Sequence, residues 1–242
     1  MRKSIAAALI AASAATGACG RMHHEGAGPT ISRSYQVSNF QEIETAGPYD
    51  VRVRTGGTPG VSAQGPQKLI DQAVVEVRGD TLMIHPQNNR NFFNWSWGSH
   101  GRAVFTVTVP QLRAATVAGS GDISIDAIKG DQFAGKLAGS GDLTVDSARV
   151  QSLKLSLAGS GDAKVGSGDV QSADYGIVGS GDIDARGVRA QQLTVSIAGS
   201  GDVDAQATGM ANVSVMGSGD VTVTGGAKCN VSKAGSGDVH CS

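Results

Sequence analysis

The tetrapeptide Gly-Ser-Gly-Asp occurs eight times in this 242-residue chain. Seven copies, starting at Gly119, Gly139, Gly159, Gly179, Gly199, Gly217 and Gly235, follow one another at intervals of 20, 20, 20, 20, 18 and 18 residues. A fixed period of this length specifies a stack of equivalent units, each touching only its neighbours, rather than a globule folded round one cleft.

Each unit reads as a tight turn between two strands. Before the turn, Leu153, Leu155 and Leu157, or Leu193, Val195 and Ile197, alternate with polar residues. After it, Ile123 and Ile125, Leu143 and Val145, and Val221 and Val223 alternate in the same way. A period of two is that of a half-buried strand, and no window sustains a helical period. The expected fold is all-β: a parallel β-helix, or solenoid, with rungs of about 20 residues. Stacked at the inter-strand spacing of about 4.8 Å, seven rungs make a rod roughly 35 Å long.

A chain that reverses at the same corner of every rung needs glycine for its tolerance of positive φ. Serine and aspartate suit the corner because their oxygens accept hydrogen bonds from nearby amides. Stacking would then align Asp122, Asp142, Asp162, Asp182, Asp202, Asp220 and Asp238 in a file of carboxylates about 5 Å apart. Two arrangements relieve the repulsion. Either a row of hard cations such as calcium neutralises the file, or each carboxylate bonds the turn amides and faces water. The eighth copy, 166–169, follows its predecessor by 7 residues and is expected to add a turn inside the third rung.

The N-terminus points to export. Arg2 and Lys3 precede an alanine-rich apolar stretch too short to span a membrane as a helix, followed by Thr16-Gly17-Ala18-Cys19. Residues 1–18 are expected to be a signal peptide. Small residues before Cys19 are similar to a bacterial lipoprotein cleavage box, which makes Cys19 the lipidated first residue, although Thr16 stands where that box usually has Leu. Ordinary cleavage after Ala18 is the alternative. The expected location is the cell envelope, lipid-anchored to the outer membrane or periplasmic, with free secretion the outcome left open by ordinary cleavage. Without Cys19 an even pair remains, Cys229 and Cys241, and in an exported chain such a pair is expected to form a disulfide. Closing a loop of that size stabilises by about 3 kcal/mol on the chain-entropy model.

Residues 19–33 are polar and glycine-rich, a tether in which His23, His24 and Glu25 lack a third ligand of fixed geometry. From residue 34 the chain reads as one domain to residue 241. Residues 34–117 are strand-like but lack the tetrapeptide, with a hairpin turn at Arg78-Gly79-Asp80 and a short helical turn over 67–73. They are expected to be capping rungs below the repeats of 118–241, since an open solenoid end exposes unpaired backbone.

Several motifs in order carry a resemblance: Phe40-Gln41-Glu42-Ile43, Tyr49-Asp50-Val51-Arg52-Val53, Val77-Arg78-Gly79-Asp80-Thr81-Leu82-Met83-Ile84, Val107-Thr108-Val109-Pro110-Gln111-Leu112, and the tetrapeptide itself. Together they resemble the putative auto-transporter adhesin, head GIN domain family of exported bacterial proteins, over nearly the whole mature chain. The resemblance implies a right-handed β-solenoid and offers no catalytic residues. The 166–169 copy and an aromatic insertion depart from it. That insertion, 88–101, gathers Phe92, Phe93, Trp95 and Trp97 between asparagines and glycines. Such aromatics stack on sugars or anchor an interface, or else fold over the open base of the solenoid as a plug.

Charged residues make up 17% of the chain, net −1, with Lys and Arg scattered, which excludes a basic nucleic-acid binder. No glycine-rich segment leads into a helix that would cradle a phosphate. No cofactor is implied beyond the calcium alternative, and no metal ligands or catalytic residues are assigned. The expected function is a non-enzymatic cell-envelope module for binding, adhesion or structure, with a glycan or cell-surface protein as partner and the membrane touched only through the lipid. The alternative is a carbohydrate-active β-helix enzyme, a polysaccharide lyase or hydrolase using paired carboxylates. Against it, the Asp are nearly equivalent, and His85, His100 and His240 are isolated.

Overall fold

The computed structural model describes residues 28–87 and 102–242. Among these the chain is almost entirely strand and winds into a parallel solenoid of about six turns of about 20 residues. Alternation dictates the strands as expected. In β9 (Ile123–Gly139), β10 (Leu143–Gly159), β11 (Ala163–Val165), β12 (Gly168–Gly179), β13 (Ile183–Gly199) and β14 (Val203–Gly217), inward side chains are buried and outward ones exposed. Register is kept rung to rung: Ile123 lies below Leu143, then Ala163, Ile183, Val203, Val221 and Val239, the last two on β15 (Val221–Thr224) and β17 (Val239–Cys241).

The core is a narrow column one rung deep per layer, so volume must balance within each rung. Tyr175 fills the third rung, with Ala163 and Ala173 as its small neighbours in that layer. Phe133 fills the first because Gly135 leaves room; a Cβ at Gly135 would lie 2.6 Å from Leu143 and 2.8 Å from Leu155. Burial pushes the Tyr175 phenol far above its ordinary range.

Below the repeats, chain order and spatial order part company. β2 (Glu42–Gly47) and β3 (Tyr49–Thr55) already form a regular rung, parallel to β8 (Ala114–Gly119) and β9 above. The chain then descends through β4 (Gly60–Pro66), α1 (Gln67–Gln72) and the hairpin of β5 (Ala73–Arg78) with β6 (Thr81–Pro86), before β7 (Ala103–Val109). β6 and β7 pair beneath β2 and β3, so a later segment makes a lower rung. The base is closed by antiparallel strands, β1 (Thr30–Tyr35) on β4 and β4 on β7, and by α1, which buries Leu69 and Ile70. Tyr49 and Tyr35 pack on Phe105 here, at 5.4 and 6.2 Å between ring centres.

Two expectations need correction. Thr30 to Arg33, placed in the tether, form the first half of β1, because β4 offers an unpaired antiparallel edge to receive them. The eighth tetrapeptide adds no turn. Val145 pairs with Val165 before it and Ser152 with Ser172 after it, an interval of 20 on both sides. It occupies a second corner that every long rung has, where its neighbours carry Asp146-Ser147 and Arg186-Gly187. Against β14, where the rungs become two residues shorter, the register shifts at this corner, between Ala185 and Arg189, and again between Ala190 and Gln192.

Candidate functional site

The repeated corner is a stack of backbone on backbone. The first glycine of each of the seven regularly spaced copies has positive φ, +137° at Gly139 and +132° at Gly159, as expected. The second glycine is needed for a different reason. A Cβ at Gly141 or Gly161 would lie 2.0 Å from the carbonyl oxygen of the matching glycine one rung down. The N–H groups of Ser140 and Gly141 donate to the Gly119 carbonyl at 2.9 and 3.1 Å, and this pattern recurs upward.

The aspartates do form a file, in which a carboxylate oxygen accepts an amide N–H from the next rung rather than from the same turn. The N–H of Asp142 donates to Asp122 Oδ1 at 3.0 Å, Asp162 to Asp142 at 3.0 Å, Asp182 to Asp162 at 2.9 Å and Asp202 to Asp182 at 2.8 Å. Asp220 and Asp238 continue the ladder at 2.7 Å each. One oxygen of each carboxylate thus staples adjacent rungs, a charge-assisted bond that offsets repulsion between neighbours. The file starts a rung earlier than the tetrapeptide does, at Asp50, which accepts from the Asp122 N–H at 3.4 Å. Arg102 neutralises its lower end, at 3.0 Å from Asp50 and 2.9 Å from Asp122. Sequence reasoning missed both, although Ala46-Gly47-Pro48-Tyr49-Asp50 is a degenerate copy of the corner.

Beside the file, Asp162, Asp182 and Asp202 share a shallow cleft with Lys164, Asp184 and Asp204. Arg186 reaches from the second corner to Asp184 at 2.9 Å, and Lys164 adds a contact at 3.4 Å. Hydrogen bonds from Arg186 hold the Asp184 carboxyl well below the usual carboxylate range. Among the described residues no group of three or more His, Cys, Asp or Glu is arranged to hold a metal ion. His85 is bound to Glu76 at 3.1 Å, away from the file.

The long sheet offers a different surface. Its last two outward columns are built from small residues: Thr116, Ser156, Gly176, Ser196 and Ser214 in one, Ala138, Ala158, Val178, Ala198 and Met216 in the other. Lys136 interrupts the first column, and the two rows border a shallow, mainly apolar channel along the rod. Val178 is 64% and Met216 67% exposed.

The expected disulfide is present between Cys229 and Cys241. The other site candidates, Cys19 and the aromatics Phe92, Phe93, Trp95 and Trp97, lie outside the described residues. No helix among the described residues is long and apolar enough to cross a membrane.

Comparison with known proteins agrees with the geometry. The family described as "Putative auto-transporter adhesin, head GIN domain" matches residues 39–227. No curated protein matches the chain. Among solved structures, a putative adhesin from Bacteroides fragilis is 26% identical over 88% of this chain and 97% of its own, with a TM-score of 0.79. A putative lipid binding protein from Parabacteroides distasonis is 25% identical over 89% of this chain and 97% of its own, TM-score 0.67. A putative adhesin from Parabacteroides merdae, 18% identical over 90% and 98%, TM-score 0.67, shares the fold. The family and these neighbours are named for adhesion or lipid binding rather than catalysis. The chain belongs to the head GIN domain family.

Proposed function

We propose that this head GIN domain protein is an exported, non-enzymatic binding module of the cell envelope, lipid-anchored through Cys19, that uses the outer face of its long sheet to contact a glycan or protein on another surface. One observation carries the proposal: the strip Ala138, Ala158, Val178, Ala198 and Met216, one exposed apolar side chain per rung, with Val178 and Met216 its large members. Scattered exposed apolar residues are ordinary, but an aligned row on a rigid sheet is a contact surface. A solenoid keeps such a row straight, so a partner meets several equivalent contacts at once. The adhesin names of the family and of the Bacteroides fragilis neighbour support this use.

A lipid is the second candidate partner, favoured by the apolar lining of the same strip and by the lipid-binding name of the Parabacteroides distasonis neighbour. Labelled protein applied to a glycan array and to zwitterionic phosphatidylcholine vesicles separates the two. Changing Val178→Lys together with Met216→Lys is expected to weaken binding about tenfold, or roughly 1.4 kcal/mol, on whichever surface binds. The melting temperature should stay put because both side chains are exposed. Undiminished binding by the folded variant removes the strip from the proposal. Loss on Trp95→Ala with Trp97→Ala instead would assign the contact to the aromatic segment.

A further inference from the structure

The two ends of the rod are closed by different means. At the base, antiparallel strands and α1 cover the core. At the other end, among the described residues, no further element covers the last rung, formed by β15, β16 (Lys228–Gly235) and β17. The closure there lies in the side chains. One inward column of the long sheet reads Leu137, Leu157, Ile177, Ile197 and Val215, every one at most 4% exposed. Lys233 sits above Val215 in that same column. Its amine meets Asp238, the last carboxylate of the file, at 3.3 Å, and its side chain is 39% exposed. The aliphatic stem can therefore cover the apolar column while the charge stays in water.

The disulfide closes the remaining opening. Cys229 stands above Ala211, in the column of Phe133, Leu153, Ala173 and Leu193, and Cys241 stands above Val223. The bond crosses the interior from β16 to β17 and lies directly over the core. Between these two devices only Val231, at 45% exposure, presents an apolar side chain. The strand edge of β16 is eight residues long, and an uncovered edge of that length recruits a further strand unless something forbids it. An inward-pointing charge on an edge strand is one of the few devices that do forbid it, because a rung docked above would bury the charge.

We propose that the final rung is a built stop: Lys233 and the Cys229–Cys241 disulfide together prevent a second copy of this chain from pairing end to end with the solenoid, and reduction of the disulfide weakens the stop. Reduction by an external dithiol takes two electrons and two protons from the reagent, leaves two cysteine thiols and converts the reagent to its own disulfide. The freed β17, only three residues long, then loses its covalent tie to β16 and exposes the top of the core.

The test is the mass of the folded protein in solution, by size exclusion with light scattering, compared at one concentration with the oxidised wild type. Lys233→Val combined with Cys229→Ser and Cys241→Ser is expected to double the mass roughly, as for a pair joined by a shared edge. Lys233→Glu in the same cysteine-free background is expected to restore the wild-type mass, since either sign of charge forbids docking. An unchanged mass for the folded Val variant overturns the proposal, as does failure of Glu to restore it. If the cysteine-free chain does not fold, Lys233→Val with the disulfide intact decides. Its mass should rise on adding dithiothreitol by more than that of wild type treated alike, and an equal response overturns the proposal.

Discussion

Two of the corners in each long rung, the Gly-Ser-Gly-Asp corner and the one that follows it, obey opposite rules. The Gly-Ser-Gly-Asp corner repeats unchanged from Gly119 to Asp238, whereas the second corner reads Asp126-Ala127, Asp146-Ser147, Gly166-Ser167-Gly168 and Arg186-Gly187 in successive rungs, then loses residues. At the first, the backbone of one rung rests on the backbone of the next, with no space for a Cβ at either glycine. At the second, that closeness is reached only locally, where a Cβ at Gly187 would meet the Gly166 oxygen at 1.8 Å. Elsewhere side chains fill the corner and satisfy it: the Asp126 carboxylate accepts from the Thr55 N–H at 3.0 Å, and the Ser167 hydroxyl donates to the Asp146 carbonyl at 3.2 Å. A backbone contact admits one residue type, whereas a side-chain contact admits several. Rigidity therefore concentrates in one corner, and variation collects in the other.

The sharpest way to break this contrast is Gly161→Ala. Its Cβ would collide with the Gly141 carbonyl at 2.0 Å, and neither backbone can retreat without breaking the ladder. A loss of more than about 3 kcal/mol is expected in chemical denaturation, a large share of a domain's stability. Gly176→Ala is the control. That residue lies on the outer sheet face with nothing closer than 4.0 Å to the new Cβ, so stability should stay within about 0.5 kcal/mol of wild type. Equal losses at both sites would mean that glycine flexibility, not rung contact, explains the repeat.

A smaller effect separates hydrogen bonding from charge in the file. Asp162→Ala removes the acceptor of the Asp182 N–H and should cost about 1 kcal/mol in the same denaturation experiment. Asp162→Asn keeps a carbonyl acceptor and removes one of a row of like charges, so it should cost less. If Asn costs as much as Ala, the negative charge rather than the acceptor matters. Asp146→Ala, in the second corner, should fall within about 0.5 kcal/mol of wild type.

The smallest effect concerns pH. Arg186, in the second corner, depresses the Asp184 carboxyl. A depressed carboxylate contributes stability above its unfolded value of about 3.9, and that contribution is lost as pH falls through the folded value. Arg186→Ala should raise the Asp184 midpoint toward the ordinary range in a carboxyl NMR titration, and shift acid unfolding to higher pH. An unmoved midpoint would show that Lys164 and the local backbone hold the carboxylate without the corner.

Much of this was legible in the residues. The period gave the solenoid, alternation gave its inward columns, and an even cysteine count gave the Cys229–Cys241 bond. The eighth tetrapeptide misled because its local chemistry is that of the repeated corner. Only the register, Val145 with Val165 and Ser152 with Ser172, shows that it replaces residues instead of adding them. Asp50 stayed hidden because Pro48 and Tyr49 replace the Ser-Gly of the motif, although the column still needs a carboxylate there to receive the Asp122 amide. Nor does alternation specify which rung lies on which. The placement of β6 and β7 beneath β2 and β3 comes from pairing between strands far apart in the chain.

The sequence by itself determined the rung: its length, its inward and outward faces and its glycine corner. Those follow from short-range rules, the two-residue period of a strand and the backbone freedom of glycine, which act within a few residues. The tertiary structure alone decided how rungs meet. Stacking turned the second glycine into a contact point, the aspartates into an amide ladder anchored by Arg102, Ala and Ser columns into a flat apolar strip, and Lys233 into a charge at the top of an apolar column. These properties belong to pairs of residues about 20 positions apart, and only the register brings such pairs together.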